Sequence, residues 1–231
     1  MSPRCAIYFA PGRDSGWWDF GARWLGRDEE RDLPLERQPL AGEPLHGLDE
    51  ITAQPRRYGF HATLKAPFRL RPGLTPSDLE VRLRAFARSR RLVPLGPLVP
   101  DRIDDFIALV PTTVNLPLQD LASACVAELD DMRAPSTDAE RNRRGIDPAD
   151  LRATELFERY GYPHVLERFR FHMTLTGPVE PALARRIIKK LTAPVAQLNV
   201  AQPLLMDRLC LFVEAGAGTN FKRMVDLELV P

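Results

Sequence analysis

The chain has little cysteine, little histidine and almost no excess of charge of either sign. Its three cysteines, Cys5, Cys125 and Cys210, stand apart within apolar stretches. This spacing excludes a disulfide framework and a cysteine metal site, and it predicts buried free thiols. The formal net charge of +1 creates no overall field that would recruit long nucleic acid or an anionic membrane. Any site for an anion must therefore be local.

Long apolar runs are missing as well. No stretch approaches the roughly 20 apolar residues that a membrane-spanning helix needs, and no apolar signal-peptide segment opens the sequence. The sequence therefore predicts a cytoplasmic protein that has neither a membrane nor DNA as a partner. A hydrophobic content of 44% over 231 residues is enough to build a globular core.

The order strand, helix, strand occurs twice along the chain. Turn and cap residues predict helix starts near Pro76, Leu116 and Pro181. We predict an α+β fold in which residues 1–231 form a single bilobal unit. Its two similar lobes of antiparallel sheet plus helices are related by a pseudo-twofold axis around a central cleft. The predicted parts are a first lobe of about 50–130, a helical insertion of about 131–162 with a helix over 148–160, a second lobe of about 163–231, and an N-terminal strand and helix at 5–27 packed on the sheets.

A histidine motif begins each of these repeats. Residues 57–67 read RYGFHATLKAP and residues 168–178 read RFRFHMTLTGP, so that Arg, Phe, His, Thr, Leu and Pro coincide without a gap. The chain has only four histidines, and two of them, His61 and His172, occupy the same place in this pattern. Internal duplication explains the match most economically.

Alternation along a strand separates each motif into two faces. His61, Thr63 and Lys65 are predicted to point one way, and the residues between them the other. In the second motif the same face carries His172, Thr174 and Thr176. Each strand then packs through an apolar face and presents a polar face. Two such strands side by side would line one cleft with two imidazoles and two hydroxyls.

This set of side chains suits the opening of a cyclic phosphodiester. One group must take a proton from water while another protonates the departing ribose oxygen, and histidine can do both near neutral pH. The threonine hydroxyls can donate to phosphate oxygens, and Lys65 or a nearby arginine can add positive charge. His-x-Thr supplies no second metal ligand and no acidic residue lies at ligand spacing, so we predict no metal site and no cofactor. The sequence leaves open which histidine is the acid.

The paired His-x-Thr elements resemble the two-histidine (2H) phosphoesterase superfamily, which includes 2′,3′-cyclic nucleotide phosphodiesterases and bacterial RNA 2′,5′ ligases. The resemblance implies two α+β lobes that flank a central groove, with His61, Thr63, His172 and Thr174 as the catalytic residues. More narrowly, the sequence is similar to the branch named for phosphonate metabolism. The segments that carry this similarity are AIYFAP at 6–11, FGARWLG at 20–26, YGFHATLKAPF at 58–68 and FRFHMTLTG at 169–177.

Other residues are weaker candidates for the substrate site. Arg57 and Arg168 precede the two histidines by the same offset and become phosphate ligands only if each strand stays regular that far upstream. Tyr58 stacks on a base or ribose, or else closes the sheet edge. Four arginines of the insertion either reach over the groove to hold a terminal phosphate or form a solvated charged surface: Arg133, Arg141, Arg143 and Arg144.

Three functions remain open at this point. The first is a metal-independent phosphoesterase for a small ribose-containing cyclic phosphate or phosphodiester in phosphonate metabolism. The second is an RNA end-processing 2′,3′-cyclic phosphodiesterase or ligase, which the near-neutral charge and the lack of a basic stripe with aromatics disfavour. The third is a protein that binds a phosphorylated ligand without catalysis.

Overall fold

The computed structural model describes residues 3–37 and 45–231. Residues 1–2 and 38–44 belong to the predicted single unit but lie outside the described part of the chain. The elements in chain order are β1 (Arg4–Phe9), α1 (Gly16–Leu25), β2 (Arg27–Asp28), β3 (Leu33–Pro34), α2 (Leu48–Arg56), β4 (Ala62–Arg69), α3 (Pro76–Ala87), β5 (Val93–Pro94), β6 (Leu98–Ile103), β7 (Phe106–Pro111), α4 (Leu116–Glu128), α5 (Asp138–Arg144), α6 (Leu151–Tyr160), β8 (Met173–Thr174), α7 (Pro181–Ala201), β9 (Leu205–Met206), β10 (Arg208–Glu214) and β11 (Phe221–Glu228). Short 3-10 helices span Asp130–Met132 and Leu166–Arg168.

Seven of these strands join one antiparallel sheet, in the order β11-β10-β1-β4-β8-β7-β6. The predicted α+β class is confirmed. Two small sheets, β2 with β3 and β5 with β9, lie apart from the large one. The two histidine-motif strands, β4 and β8, are neighbours in the middle of the large sheet.

Strand pairing crosses the sequence ranges of the predicted lobes. β6 and β7 come from the first range, but they extend the sheet beyond β8. β10 and β11 come from the second range, but they extend the opposite half of the sheet, next to β1, which pairs with β4. Each half of the sheet therefore combines segments from both ranges. The bilobal division and its pseudo-twofold axis stay predictions.

Local sequence signals explain where the helices begin. Thr75 caps α3 through a capping box with Asp78, which satisfies backbone N–H groups that have no partner inside the helix. The Asn115 side chain caps α4 in the same way by accepting a backbone hydrogen bond. A proline in the first turn, Pro181, opens α7. These starts confirm the three predicted from the sequence.

The strand β1 is buried on both of its faces. Ile7 packs with buried side chains of α1, α3, α4 and α7 in one large core. Ala6 and Tyr8 point to the opposite face, where they form a smaller cluster with Phe212 and Phe221. These four helices thus cover one face of the sheet, and the second face is available for a site.

The predicted helical insertion is docked on this body. Its second helix, α6, confirms the predicted helix apart from its first turn, and Leu156 and Tyr160 of α6 pack against Val126 of α4. Its first helix, α5, is joined to the end of β4 by an ion pair between Arg69 and Glu140. The insertion therefore reaches the sheet face that carries the histidines.

The structure shows the state of the three cysteines. All three cysteines are buried and unpaired, as predicted. Burial raises the pKa of the Cys125 thiol to about 12, so it stays protonated at neutral pH. Within residues 3–37 and 45–231, no helix is both long and apolar enough for a bilayer crossing.

A shift in the pairing of β1 with β4 changes the face on which Lys65 lies. Tyr8 pairs with Thr63, but the next pair is Ile7 with Lys65, so β4 contains one extra residue at this point. Lys65 therefore shares the core-facing side of Ile7. Its buried ammonium donates to a carbonyl oxygen of α4 at 3.0 Å and to Asp130 Oδ1 at 2.9 Å. The predicted placement of Lys65 beside the histidines is wrong, because strict alternation ends at the bulge.

We expect Lys65→Met to lower the free energy of unfolding by about 1–3 kcal/mol, because Asp130 then loses one of its partners in a buried setting. Arg133 still pairs with Asp130 and limits the loss. Urea denaturation measures the change. Lys222→Met, at an exposed position of β11, is the control and should alter stability by no more than about 0.5 kcal/mol. Equal stability of the two variants would contradict a structural role for Lys65.

Candidate active site

The two histidine motifs meet through the pairing of β4 with β8. Ala62 of β4 lies opposite Met173 of β8 in antiparallel register. If this antiparallel register is continued by one residue on either side of the pair, the histidine of each motif lies across from the threonine of the other motif. The resulting pairs are His61 with Thr174 and Thr63 with His172.

Side chains alternate across these strands as the sequence predicts. The apolar residues between and beside the motif positions, Ala62, Leu64, Met173 and Leu175, are buried in the large core. The two histidines and the two threonines are half-buried on the other face. The prediction of one apolar face and one polar face is confirmed for the His-x-Thr part of each motif.

A cavity of about 450 Å³ lies on the polar face. His61, Thr63 and Thr174 line it directly. His172 lies beside it, since its ring centroid is 5.8 Å from that of the lining residue Phe106. The structure thus brings the four predicted catalytic side chains to one concave site.

A backbone carbonyl sets the tautomer of each histidine. Nδ1 of His61 lies 2.9 Å from the carbonyl oxygen of Gly59, and Nδ1 of His172 lies 2.8 Å from that of Arg170. A carbonyl oxygen only accepts hydrogen bonds, so Nδ1 carries the proton in both rings. Nε2 is then the basic atom of each neutral ring. The hydroxyl of Thr63, at 3.3 Å, can donate to Nε2 of His61.

Burial holds both imidazoles in the neutral form. The pKa of His61 is lowered to about 4, chiefly by burial; the Gly59 carbonyl acts in the opposite direction, and the proximity of His172 adds to the lowering. Burial lowers the pKa of His172 as well. The ring of Tyr8 stacks on His61 with centroids 3.8 Å apart and excludes water from that side. Both rings are therefore uncharged at pH 7 when no ligand is bound.

Two of the predicted substrate ligands line the cavity beside His61. The ring of Tyr58 lies 6.2 Å from that of His61 and stacks on Phe221. Arg57 also lines the cavity, where it pairs with Glu214. Tyr58 and Arg57 thus lie at the cavity, although Arg57 follows α2 rather than belonging to a regular strand, and their roles as ligands stay predictions.

Two other predicted ligands are engaged elsewhere. Arg168 lies in a 3-10 helix rather than on a regular strand, and both of its terminal nitrogens bond to Asp150, at 2.6 and 2.7 Å. It does not line the cavity. Thr176 has no exposed surface, and its hydroxyl accepts the backbone N–H of Ile107 at 3.0 Å. The predicted position of Arg168 in the cleft is therefore wrong. Thr176 is among the residues that line the cavity, but its hydroxyl is engaged by β7, so its role as a substrate ligand stays a prediction.

The arginines of the insertion divide between cavity and surface. Arg133 and Arg144 line the cavity, whereas Arg141 pairs with Glu158 outside it. The side chain of Arg143 lies outside the described residues. The sequence left open whether these arginines reach the groove or form a solvated surface. Arg133 and Arg144 reach the groove, and Arg141 lies on the surface.

Sequence reasoning missed two lining residues of β1, Tyr8 and Arg4. Tyr8 belongs to an apolar run that the sequence marks only as a strand. Its stacking on His61 depends on β1 pairing with β4, which no local pattern indicates. Alternation alone shows that Arg4, Ala6 and Tyr8 share one face of β1, and that was the signal available.

The arrangement offers two proton-transfer groups and two hydroxyl donors at one cavity, with His172 beside it. His61 and His172 immediately precede the paired strands β4 and β8. No set of three or more His, Cys, Asp or Glu side chains in the described ranges is placed to hold a metal ion.

Residues 63–222 match the family described as "Protein of unknown function (DUF1045)". The chain belongs to this family. The match to the DUF1045 family contains Thr63 and the whole second motif, and it starts just after His61. Thr63, His172 and Thr174 thus lie within the matched region, and His61 precedes it by two residues.

Two curated proteins named "Ribose 1,5-bisphosphate phosphokinase PhnN" are similar to this DUF1045 chain. The one from Janthinobacterium sp. (strain Marseille) is 38% identical over 224 residues, and the one from Laribacter hongkongensis (strain HLHK9) is 34% identical over 220 residues. These alignments cover 94% and 95% of this chain but 49% and 50% of the two relatives. The chain thus spans about half the length of the curated relatives it matches.

Gly59 is needed for the orientation of His61. Its φ is +79°, and a Cβ there would lie 2.6 Å from Cβ of Glu29. We expect Gly59→Ala to destabilise the protein by about 1–2 kcal/mol or more, through the left-handed backbone and the clash, and to displace the carbonyl that holds Nδ1 of His61. Urea denaturation and the ¹⁵N shifts of His61 report both effects.

Gly73→Ala is the matched control, because Gly73 also has a positive φ, +89°, but has nothing within 4 Å of an added Cβ. It should show the backbone strain alone and leave the His61 signals in place. Equal effects of the two substitutions would argue against a positioning role for Gly59.

The buried state of His61 predicts how stability depends on pH. The folded protein keeps this ring neutral down to about pH 4, whereas the unfolded chain takes up the proton near pH 6.5. Between these values the unfolded state binds more protons, so the free energy of unfolding should fall as the pH is lowered from about 6.5 to 4. His61→Asn should flatten the profile in this window, and His46→Asn, at an exposed position, should not. NMR titration of His61 with a midpoint near 6.5 would contradict the prediction.

Proposed function

We propose that this DUF1045 chain is a metal-independent phosphoesterase of the two-histidine type that acts on a small ribose-containing cyclic phosphate or phosphodiester. His61 and His172 form the general acid–base pair, and Thr63 and Thr174 hold the phosphate. One observation carries the proposal: both imidazoles have Nδ1 held by a backbone carbonyl and Nε2 available beside the same cavity.

In this reaction one imidazole accepts a proton from water through Nε2 while the water oxygen bonds to phosphorus. The bond from phosphorus to a ribose oxygen breaks, and that oxygen takes a proton from Nε2 of the other ring. The second ring must therefore be protonated beforehand. An anionic phosphate favours this step, because a negative charge close to an imidazole raises its pKa and opposes the effect of burial. Which histidine takes which role stays open.

The threonines complete the phosphate site in this proposal. Each lies across from a histidine of the other strand, so a phosphate between the rings is within reach of both hydroxyls. Hydroxyl donors aimed at the non-bridging oxygens stabilise the charge that develops there as the new bond forms. Thr63→Val and Thr174→Val thus remove stabilisation of the transition state without removing an acid or a base.

The names of the relatives support a ribose phosphate as the substrate class. They also include a phosphokinase activity, for which the phosphate-binding run G-x-x-x-x-G-K-S/T is a common sequence signature. This chain contains no such run and matches only about half of each relative. We therefore assign ester chemistry to the half that this chain represents. Its resemblance to the branch named for phosphonate metabolism supports that setting.

The test uses purified, EDTA-treated protein with ribose 5-phosphate 1,2-cyclic phosphate and with 2′,3′-cyclic AMP, followed by phosphorus NMR. We expect turnover of the ribose compound, because the cavity combines acid–base and hydroxyl groups without a metal. His61→Ala and His172→Ala should each lower turnover by about 100-fold or more, the effect of losing a general acid or base.

His46→Ala, at an exposed position, is the control and should keep full turnover. Turnover that survives both active-site substitutions would overturn the mechanism. Binding of these compounds without turnover by the wild-type protein would favour a ligand-binding protein, and faster turnover of 2′,3′-cyclic AMP would favour RNA ends.

A further inference from the structure

Arginines line the end of the cavity that lies away from the histidines. Arg4 at the start of β1 lies directly opposite Arg69 at the end of β4, and both line the cavity. Like charges in cross-strand register repel each other. The two arginines are neighbours in the register, and each guanidinium has a carboxylate partner, Glu214 for Arg4 and Glu140 for Arg69.

The carboxylates near these arginines are too few to neutralise them. Glu214 is buried and is shared by two guanidinium groups, those of Arg4 and Arg57. One of these two positive charges is therefore left without a counter-charge of its own. The partner of Arg69 is Glu140 of α5, at 3.2 Å.

The same helix brings Arg144 over the cavity. Glu140 and Arg144 are four residues apart, so they lie on one face of α5, and the ion pair of Glu140 turns this face towards the sheet. The guanidinium of Arg144 stacks on the ring of Tyr162, 4.6 Å from its centroid, and both residues line the cavity. Among the residues that the structure describes, no carboxylate is within ion-pair distance of Arg144.

The lining contains two acidic residues, Asp105 and Glu140, and Glu140 is the partner of Arg69. Against these two acids the lining has five arginines: Arg4, Arg57, Arg69, Arg133 and Arg144. Positive charge therefore exceeds negative charge in the lining. Because arginine binds phosphate through two parallel hydrogen bonds, the arginine-lined end is suited to a phosphate group.

We propose that Arg144, together with Arg4 and Arg57, binds a second phosphate, a terminal monoester on the same small molecule whose other phosphate lies between the histidines. This inference rests on the proposed function, because it takes the histidine end as the place of the reacting phosphate. The substrate class is then a pentose that carries phosphate groups on two different carbons.

The dimensions of the cavity fit such a molecule. Tyr8, opposite Thr63, marks the histidine end, and Arg4 lies four residues away along β1, about 13 Å at the usual rise of a strand. The Arg4 guanidinium reaches back along this distance and lies 5.5 Å from the ring centroid of Phe221, which is 6.4 Å from that of Tyr8. The cavity of about 450 Å³ is in the size range of pockets for small molecules such as a pentose with two phosphates.

The test is isothermal titration calorimetry with ribose 1-phosphate and ribose 1,5-bisphosphate, which differ only in the second phosphate. The wild-type protein should bind the bisphosphate about 10- to 100-fold more tightly, the effect of adding hydrogen bonds between charged groups. In Arg144→Gln this ratio should fall at least about fivefold, while the affinity for ribose 1-phosphate stays within about twofold. Arg57→Gln should also lower the ratio.

Arg152→Gln is the control, because Arg152 is a partly exposed arginine of α6 that pairs with Glu155 and Glu167 and does not line the cavity. It should keep the wild-type ratio. Equal affinities for the two compounds, no binding of either compound, or an unchanged ratio in Arg144→Gln would overturn the second phosphate site. Turnover is measured separately, so its absence would refute the phosphoesterase while leaving the binding ratio interpretable.

Discussion

The antiparallel contact between β4 and β8 is the constraint on which the site depends. β8 has only two residues, so its own ladder is too short to hold it in place. Neighbouring elements supply the rest: the N–H of Leu175 donates to Ile107 of β7, and the indole of Trp24 in α1 donates to the Leu175 carbonyl, both at 2.8 Å. The second motif is therefore positioned by parts of the chain far from it in sequence.

The chemical state of the histidines follows from this placement. Burial lowers the pKa of each ring, and each ring donates from Nδ1 to a carbonyl two residues earlier in the chain. The two motifs reach the same geometry with different residues. Gly59 has a positive φ and lies next to Glu29, whereas Arg170, at the equivalent position of the second motif, does not have a positive φ. The two motifs thus share the hydrogen bond but not the local backbone.

Sequence alternation was reliable only over short distances. It gave the correct faces for each His-x-Thr, because three consecutive positions of an undisturbed strand must alternate. It failed at Lys65, where a bulge intervenes, and upstream at Arg168, where the chain forms a 3-10 helix. Thr176 lies beyond the end of β8, and its hydroxyl is used to bond β7. Bulges and strand ends arise from the fit between strands, and one strand's sequence does not record that fit.

The sequence by itself determined the α+β class, the main helix starts and the two histidine motifs, because these depend on local caps, periodicity and an internal repeat. Only the tertiary structure decided which strands are neighbours, how each lobe range contributes to the sheet, and that Tyr8, Arg4 and Arg144 share the cavity with the histidines. The physical reason is that such contacts come from packing between distant segments. Each segment's sequence shows the face that it buries but not the partner that covers it.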